Sequence, residues 1–141
     1  MRILMINHET LRQKSAPVKN IDKEIETLLA GMFELLDKYQ GVGLAAVQVG
    51  KLQRLFVTKI GKDIPRVFIN PSMLETSEDM ADYEEGCLSL PGVWGHITRP
   101  KMIRLQAWNE KGKPFTIDAD GILARVIQHE YDHLEGALFI D

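Results

Sequence analysis

The amino-acid sequence predicts an α+β fold in which antiparallel β-sheets wrap a central helix near the C-terminus, with one amphipathic helix toward the N-terminus. Three observations predict it. Apolar residues recur at steps of three and four between residues 22 and 39. Apolar and polar residues alternate from Met102 to Trp108. A second helical run, from Gly121 to Leu134, is apolar enough to be largely buried. Helix, then strands, then helix is an α+β order. The 141 residues fit the usual size of one domain, and no repeat, low-complexity tract or linker divides them. Residues 1–141 are therefore read as a single domain.

Residues 1–20 show little periodicity, and Pro17 followed by Asn20 reads as a turn leading into the first helix. Ile21, Ile25, Leu28, Leu29, Met32, Leu35, Leu36 and Tyr39 then share one stripe, predicting a helix from about Asp22 to Tyr39. It stops at Gly41-Val42-Gly43, where the glycines serve either as a helix C-cap or as bare backbone for close approach of a ligand. Short β-rich runs follow at Leu55–Lys59 and Arg66–Asn70, the second ended by Asn70-Pro71. In the clearest strand, Ile103, Leu105 and Ala107 alternate with Arg104 and Gln106, and the turn at residues 109–113 folds it back onto Phe115–Ile117 as a hairpin. Asp118 or Asp120 can cap the last helix, and Gly136 is placed to end it.

Composition narrows the function classes. Hydrophobic residues at 45% and charged residues at 26% exclude bulk disorder. Seventeen basic against twenty acidic side chains give a net charge of -3, so no overall positive field draws nucleic acid or an anionic membrane. No apolar stretch approaches the roughly 18 residues of a membrane span, and the N-terminus has charges where a signal peptide is apolar, so a cytoplasmic protein is expected. The single cysteine, Cys87, excludes an internal disulfide and fits a reducing compartment.

The last helix carries Gln128-His129-Glu130-Tyr131-Asp132-His133. At about 100° and 1.5 Å per residue, His129 and His133 lie roughly 40° apart around the axis and about 6 Å along it, so both rings can converge on one ion. They share a face with Ile122 and Val126, which points the imidazoles inward, while Glu130 is one step round, placed to touch water rather than forced to ligate. This is the H-E-x-x-H arrangement of zinc-dependent hydrolases; the alternative is a pair of surface histidines on an amphipathic helix. The central helix is thus read as metal-binding. Catalytic centres of this kind take three protein ligands, and the third is open among His8, His96, a carboxylate and Cys87. Cys87 lies in Glu84-Glu85-Gly86-Cys87-Leu88-Ser89-Leu90-Pro91-Gly92, whose glycines and proline imply a shaped loop. A metal would hold its thiol as thiolate; without one, a free cysteine packs as a small hydrophobe.

Three segments, Gly41-Val42-Gly43-Leu44-Ala45-Ala46-Val47-Gln48, Glu85-Gly86-Cys87-Leu88-Ser89 and Gln128-His129-Glu130-Tyr131-Asp132-His133-Leu134-Glu135-Gly136, together resemble the peptide deformylases. These enzymes remove the N-formyl group from nascent polypeptides. The likeness extends to Leu11-Arg12, Ala16-Pro17-Val18 and Arg99-Pro100, so it spans essentially the whole chain. It implies that Cys87, His129 and His133 hold one divalent ion, Fe(II) in the cell, with zinc, nickel or cobalt able to occupy the site. It makes Glu130 the base that takes a proton from activated water and returns it to the departing amine. Gln48 and the Leu88 backbone N–H become the oxyanion donors. Val42, Gly43, Glu85, Leu88, Ile122 and the aliphatic part of Arg125 become the substrate pocket, and Arg99 a partner for Glu85. The implied substrates are N-formylmethionyl peptides and nascent chains.

Three other readings share parts of the pattern: a zincin-class protease with a His or Glu third ligand, a hydrolase using Cys87 as nucleophile, and a non-catalytic metal-stabilised module. Many family members continue into a further helix where this sequence has Ala137-Leu138-Phe139-Ile140-Asp141, a stretch able only to form an edge strand or cover the core. A monomer with weak, salt-sensitive ribosome association, no membrane partner and no sequence-specific nucleic-acid binding is expected.

Overall fold

The computed structural model describes all 141 residues. Helix α1 (Lys23–Tyr39) is capped by Asp22, whose side chain accepts from the Ile25 N–H at 3.1 Å, and it closes on Gln40 in the left-handed region at φ 54°. The expected glycine cap is therefore displaced by one residue. Gly41 serves close packing instead: a Cβ there would stand 2.7 Å from Leu88 Cδ1 and 3.0 Å from Leu36 Cδ2.

Five strands form an antiparallel sheet in the order β1-β2-β3-β6-β7: β1 (Gly43–Ala45), β2 (Leu55–Thr58), β3 (Arg66–Thr76), β6 (Met102–Trp108) and β7 (Pro114–Asp120). A separate antiparallel ribbon pairs β4 (Met80–Cys87) with β5 (Leu90–Pro100). Helix α2 (Gly121–Leu134) packs on one face of the five-stranded sheet and α1 covers the other face at β1 to β3. The alternation of side chains assigns the layers. Leu55, Val57, Val67 and Ile69 join the α1 core, whereas Phe56 and Phe68, stacked at 4.7 Å, join the α2 core with Leu105, Ile127 and Leu134. Burying each such side chain contributes about 1.5–3 kcal/mol.

Several expectations are corrected. Strand β3 does not end at Asn70-Pro71 but runs on to Thr76 through a register shift between Ile69 and Ser72. Asn70 adopts φ 51°, and its side chain accepts from the Val18 N–H and donates to the Val18 carbonyl, so the bulge is tied down and Pro71 sits where the ladder is already broken. The segment expected to be a loop around Cys87 is instead a tight hairpin junction, with a register shift between Glu85 and Cys87. Asp120 occupies the N-cap of α2, yet its side chain makes no capping bond. After α2, Leu138 and Phe139 are buried, so this stretch covers the core. No helix is long and apolar enough to cross a membrane.

Candidate metal centre and active site

Helix α2 delivers His129 and His133 as one turn of a buried face, with ring centroids 5.2 Å apart. The end of β4 brings Cys87 to them, its Sγ 3.5 Å from His133 Nε2. One ligand atom from each of the three lies within 4.8 Å of the others, a separation that suits a shared ion. The other candidates for a third ligand are elsewhere: His8 Nδ1 accepts from the Thr10 N–H, and His96 is exposed on β5 opposite Glu84.

Glu85 organises this cluster. Its carboxylate accepts from His129 Nδ1 at 2.8 Å, from Arg99 Nε and Nη2 at 2.7 and 3.0 Å, and from Arg125 Nη1 at 2.6 Å. Burial pushes its carboxyl up, but these donors outweigh burial and hold it well below the usual carboxylate range. With Nδ1 of His129 committed to Glu85, Nε2 is the nitrogen left for a ligand. Burial lowers the His129 pKa, but Cys87, Glu85 and Glu130 raise it further and carry it to about 10. His133 has no carboxylate partner; burial first, then the charges of His129 and Arg99, lowers it to about 3. Its Nδ1 has no hydrogen-bond partner.

Glu130 is buried, its Oε1 has no partner, and burial pushes its carboxyl up to about 7. Gly43 makes room for it, since a Cβ there would stand 2.7 Å from Glu130 Oε2. Gln48 lies in the 3-10 turn Ala46–Val49 with its amide fixed at both ends: Oε1 accepts from the Ala45 N–H at 2.9 Å, and Nε2 donates to Ser89 Oγ at 3.1 Å and to Cys87 Sγ at 3.4 Å. The donor is thus aimed at the cluster.

A cavity of about 880 Å³ opens over these groups and is lined by Val42, Gly43, Leu88, Ile122, Glu85 and Arg125, among others. Two expectations change here. The polar atoms of Glu85 are consumed by His129, Arg99 and Arg125, so it holds the ligands in place and offers the cavity no free carboxylate. Ile122 is half exposed where it lines the cavity, not buried with the histidines. Arg125 gives its guanidinium to Glu85, Ala81 and Ile97, leaving only its stem for the cavity. Arg99 also donates to Asp132 at 2.6 Å, clamping β5 to α2, a link between distant segments that no spacing in the chain marks. Ser89, the anchor of Gln48, stands in the same segment as Glu85, Cys87 and Leu88, and its role follows only from the packing of Gln48 against it.

The polypeptide deformylase family model matches residues 1–141. The chain belongs to the polypeptide deformylase family. It is 53% identical over 131 residues to the peptide deformylase of Clostridium botulinum (strain Alaska E43 / Type E3), covering 93% of this chain and 88% of that relative. Among solved structures, peptide deformylase from Thermotoga maritima superposes with a TM-score of 0.96 at 41% identity, covering 99% of this chain and 95% of the other. The enzyme from Synechococcus elongatus in complex with actinonin matches with a TM-score of 0.96 at 39% identity, over 99% and 76% of the two chains. Deformylases are metal-dependent hydrolases that use a single divalent ion, and the donor set here fits one: a thiol and two imidazoles converge, with one imidazole locked in its ligating tautomer.

Proposed function

We propose that this chain hydrolyses the N-formyl group of N-formylmethionyl peptides of nascent proteins, releasing formate. The observation that carries the reading is Glu130, a buried carboxylate with a free oxygen and a pKa raised to about 7, set beside the Cys87, His129 and His133 cluster. Those three residues would hold the ion. When bound, it supplies a Lewis acid that activates water at neutral pH and polarises the formyl oxygen. Glu130 takes the proton of the attacking water and hands it to the departing methionine amine, a task suited to a buried carboxylate with an oxygen left without a partner. Gln48 Nε2 and the Leu88 backbone N–H donate to the developing oxyanion, and the ties of Gln48 to Ala45 and Ser89 spare it reorganisation during the reaction. Val42, Gly43, Leu88, Ile122 and the stem of Arg125 receive the methionine side chain.

Fe(II) is the ion proposed for the cell, with zinc, nickel or cobalt as substitutes in purified protein; a mixed thiolate and imidazole set accepts all of them. The proposed setting is cytoplasmic, acting as a monomer on nascent chains. The net charge of -3 supports weak, salt-sensitive contact with ribosomes, which sedimentation at near-physiological salt measures. Formate release from formyl-Met-Ala by anaerobically prepared protein tests the main reading. Glu130→Gln should keep its metal and lose nearly all turnover. Failure of the metal-loaded wild type to release formate would overturn it.

A further inference from the structure

The cavity is larger than the proposed reaction centre requires. At about 880 Å³ it lies toward the upper end of ligand clefts, which span roughly 300–1,000 Å³, and one methionine side chain leaves much of it open. Trp94 of β5 stands in that remaining wall with 64% of its surface exposed, although tryptophan is ordinarily well buried. The exposed ring is nevertheless held. A Cβ on Gly86 would meet Trp94 Cε3 and Cζ3 at 2.7 Å and Cδ2 at 3.0 Å, so the indole rests on bare backbone that only glycine provides. Gly86 immediately precedes Cys87, and the ring lines the same cavity as Cys87, His129 and Glu130. Val42 and Val93, both about two-fifths exposed, line the same cavity.

An extended peptide advances about 3.3 Å per residue, so the two residues after a substrate methionine lie within roughly 5–10 Å of the reacting carbon. Gly86 lies one residue, about 3.8 Å along the backbone, from Cys87, so an indole seated over it is within reach of that span. We infer that Trp94 is a specificity-determining residue: it takes an aromatic or large apolar side chain from one of the two residues that follow the formylmethionine. The inference rests on the proposed deformylation of formylmethionyl peptides. The indole is already held against Gly86 while most of its surface stays exposed, so binding a partner costs little ordering.

The test compares kcat/KM for formyl-Met-Xaa-Ala and formyl-Met-Ala-Xaa peptides, with Ala, Leu, Phe and Asp as Xaa. In the wild type, Phe should exceed Ala at one of the two positions by about three- to tenfold, the scale of an aromatic pair, and mainly through KM. Trp94→Ala should bring that ratio close to one. Trp94→Phe should restore part of it, and Gly86→Ala, which displaces the ring, should reduce it as well. The ratio within each variant cancels any general loss of activity. The protein has two tryptophans, and Trp108 on β6 does not line the cavity. In a Trp108→Phe, Glu130→Gln background, Trp94 emission should therefore respond more to the Phe peptide than to the Ala peptide. A wild-type ratio near one at both positions, or an unchanged ratio in Trp94→Ala, would overturn the inference while leaving deformylation standing. No turnover of formyl-Met-Ala by the metal-loaded wild type would overturn both.

Discussion

Replacing Glu85 with Gln perturbs the group that joins the ribbon to the metal helix. The substitution keeps the shape of the side chain and removes its charge. Four donors lie within 3.0 Å of the carboxylate, from His129, Arg99 and Arg125, and the Arg125 and Arg99 side chains are only 5% and 11% exposed. An amide satisfies at most part of this set and turns an N–H₂ toward a guanidinium. Breaking one side of a buried ion pair costs about 3–5 kcal/mol, a large part of the roughly 5–15 kcal/mol that holds a domain together. Thermal unfolding at pH 7 should fall by about 10 °C or more. His129 would also exchange its charged acceptor for a neutral amide, loosening the tautomer and lowering metal affinity by up to about 10- to 100-fold in chelator competition. The pH dependence has a definite sign. Because folding holds the Glu85 carboxyl below its ordinary 4.5, its contribution is complete above that value and is lost as the pH falls below it, when the unfolded chain takes up the proton first. The gap between wild type and variant should therefore narrow on acidification below 4.5. A variant within about 0.5 kcal/mol of wild type at pH 7, the range of ordinary surface substitutions, would refute the role assigned to Glu85.

Cys87→Ala should strip the ion, and elemental analysis showing full, tightly held metal in that variant would contradict the ligand set. Gln48→Leu should lower kcat about 10²- to 10³-fold, as removal of one oxyanion donor does elsewhere; unchanged kcat would assign that role to other groups. Gly43→Ala places a methyl 2.7 Å from Glu130 Oε2 and 2.8 Å from Val126 Cγ1. It should cost about 1–3 kcal/mol in stability by overpacking and displace the base enough to lower kcat, and a variant with wild-type kcat would show that Glu130 tolerates the shift. Formyl-Met peptides should far outrun acetyl-Met peptides, a comparison that competing-substrate kinetics makes directly.

How much of this was legible in the sequence depended on whether each segment has one buried face. Helices α1 and α2 and the β6 strand do, so their periods of 3.6 and 2 are visible. Strand β2 is buried on both faces and β3 is interrupted by a bulge, which hid the length of β3. The β4–β5 ribbon is exposed along half of β4 and most of β5 and carries Pro91 and a left-handed Gly92, so no alternation marked it and only its chemistry stood out. Within the site, His129 and His133 were readable because both lie on one helix, and Cys87 because it is the sole thiol. The links from Glu85 to His129 and from Arg99 to Asp132 are made only when distant segments pack, and no spacing in the chain announces them.

The ribbon shares no ladder with the five-stranded sheet, yet it contributes Cys87, while α2 contributes both histidines. Occupancy of the centre is thereby a report on tertiary closure. The helix alone offers two ligands, and the third arrives only after the ribbon has docked through the Glu85 and Arg99 clamp. Part of the affinity for the ion is accordingly drawn from folding, and part of the stability of the folded chain is returned by loading. A chain that has not finished folding therefore has no complete centre at which a stray metal could be held or a thiolate left reactive.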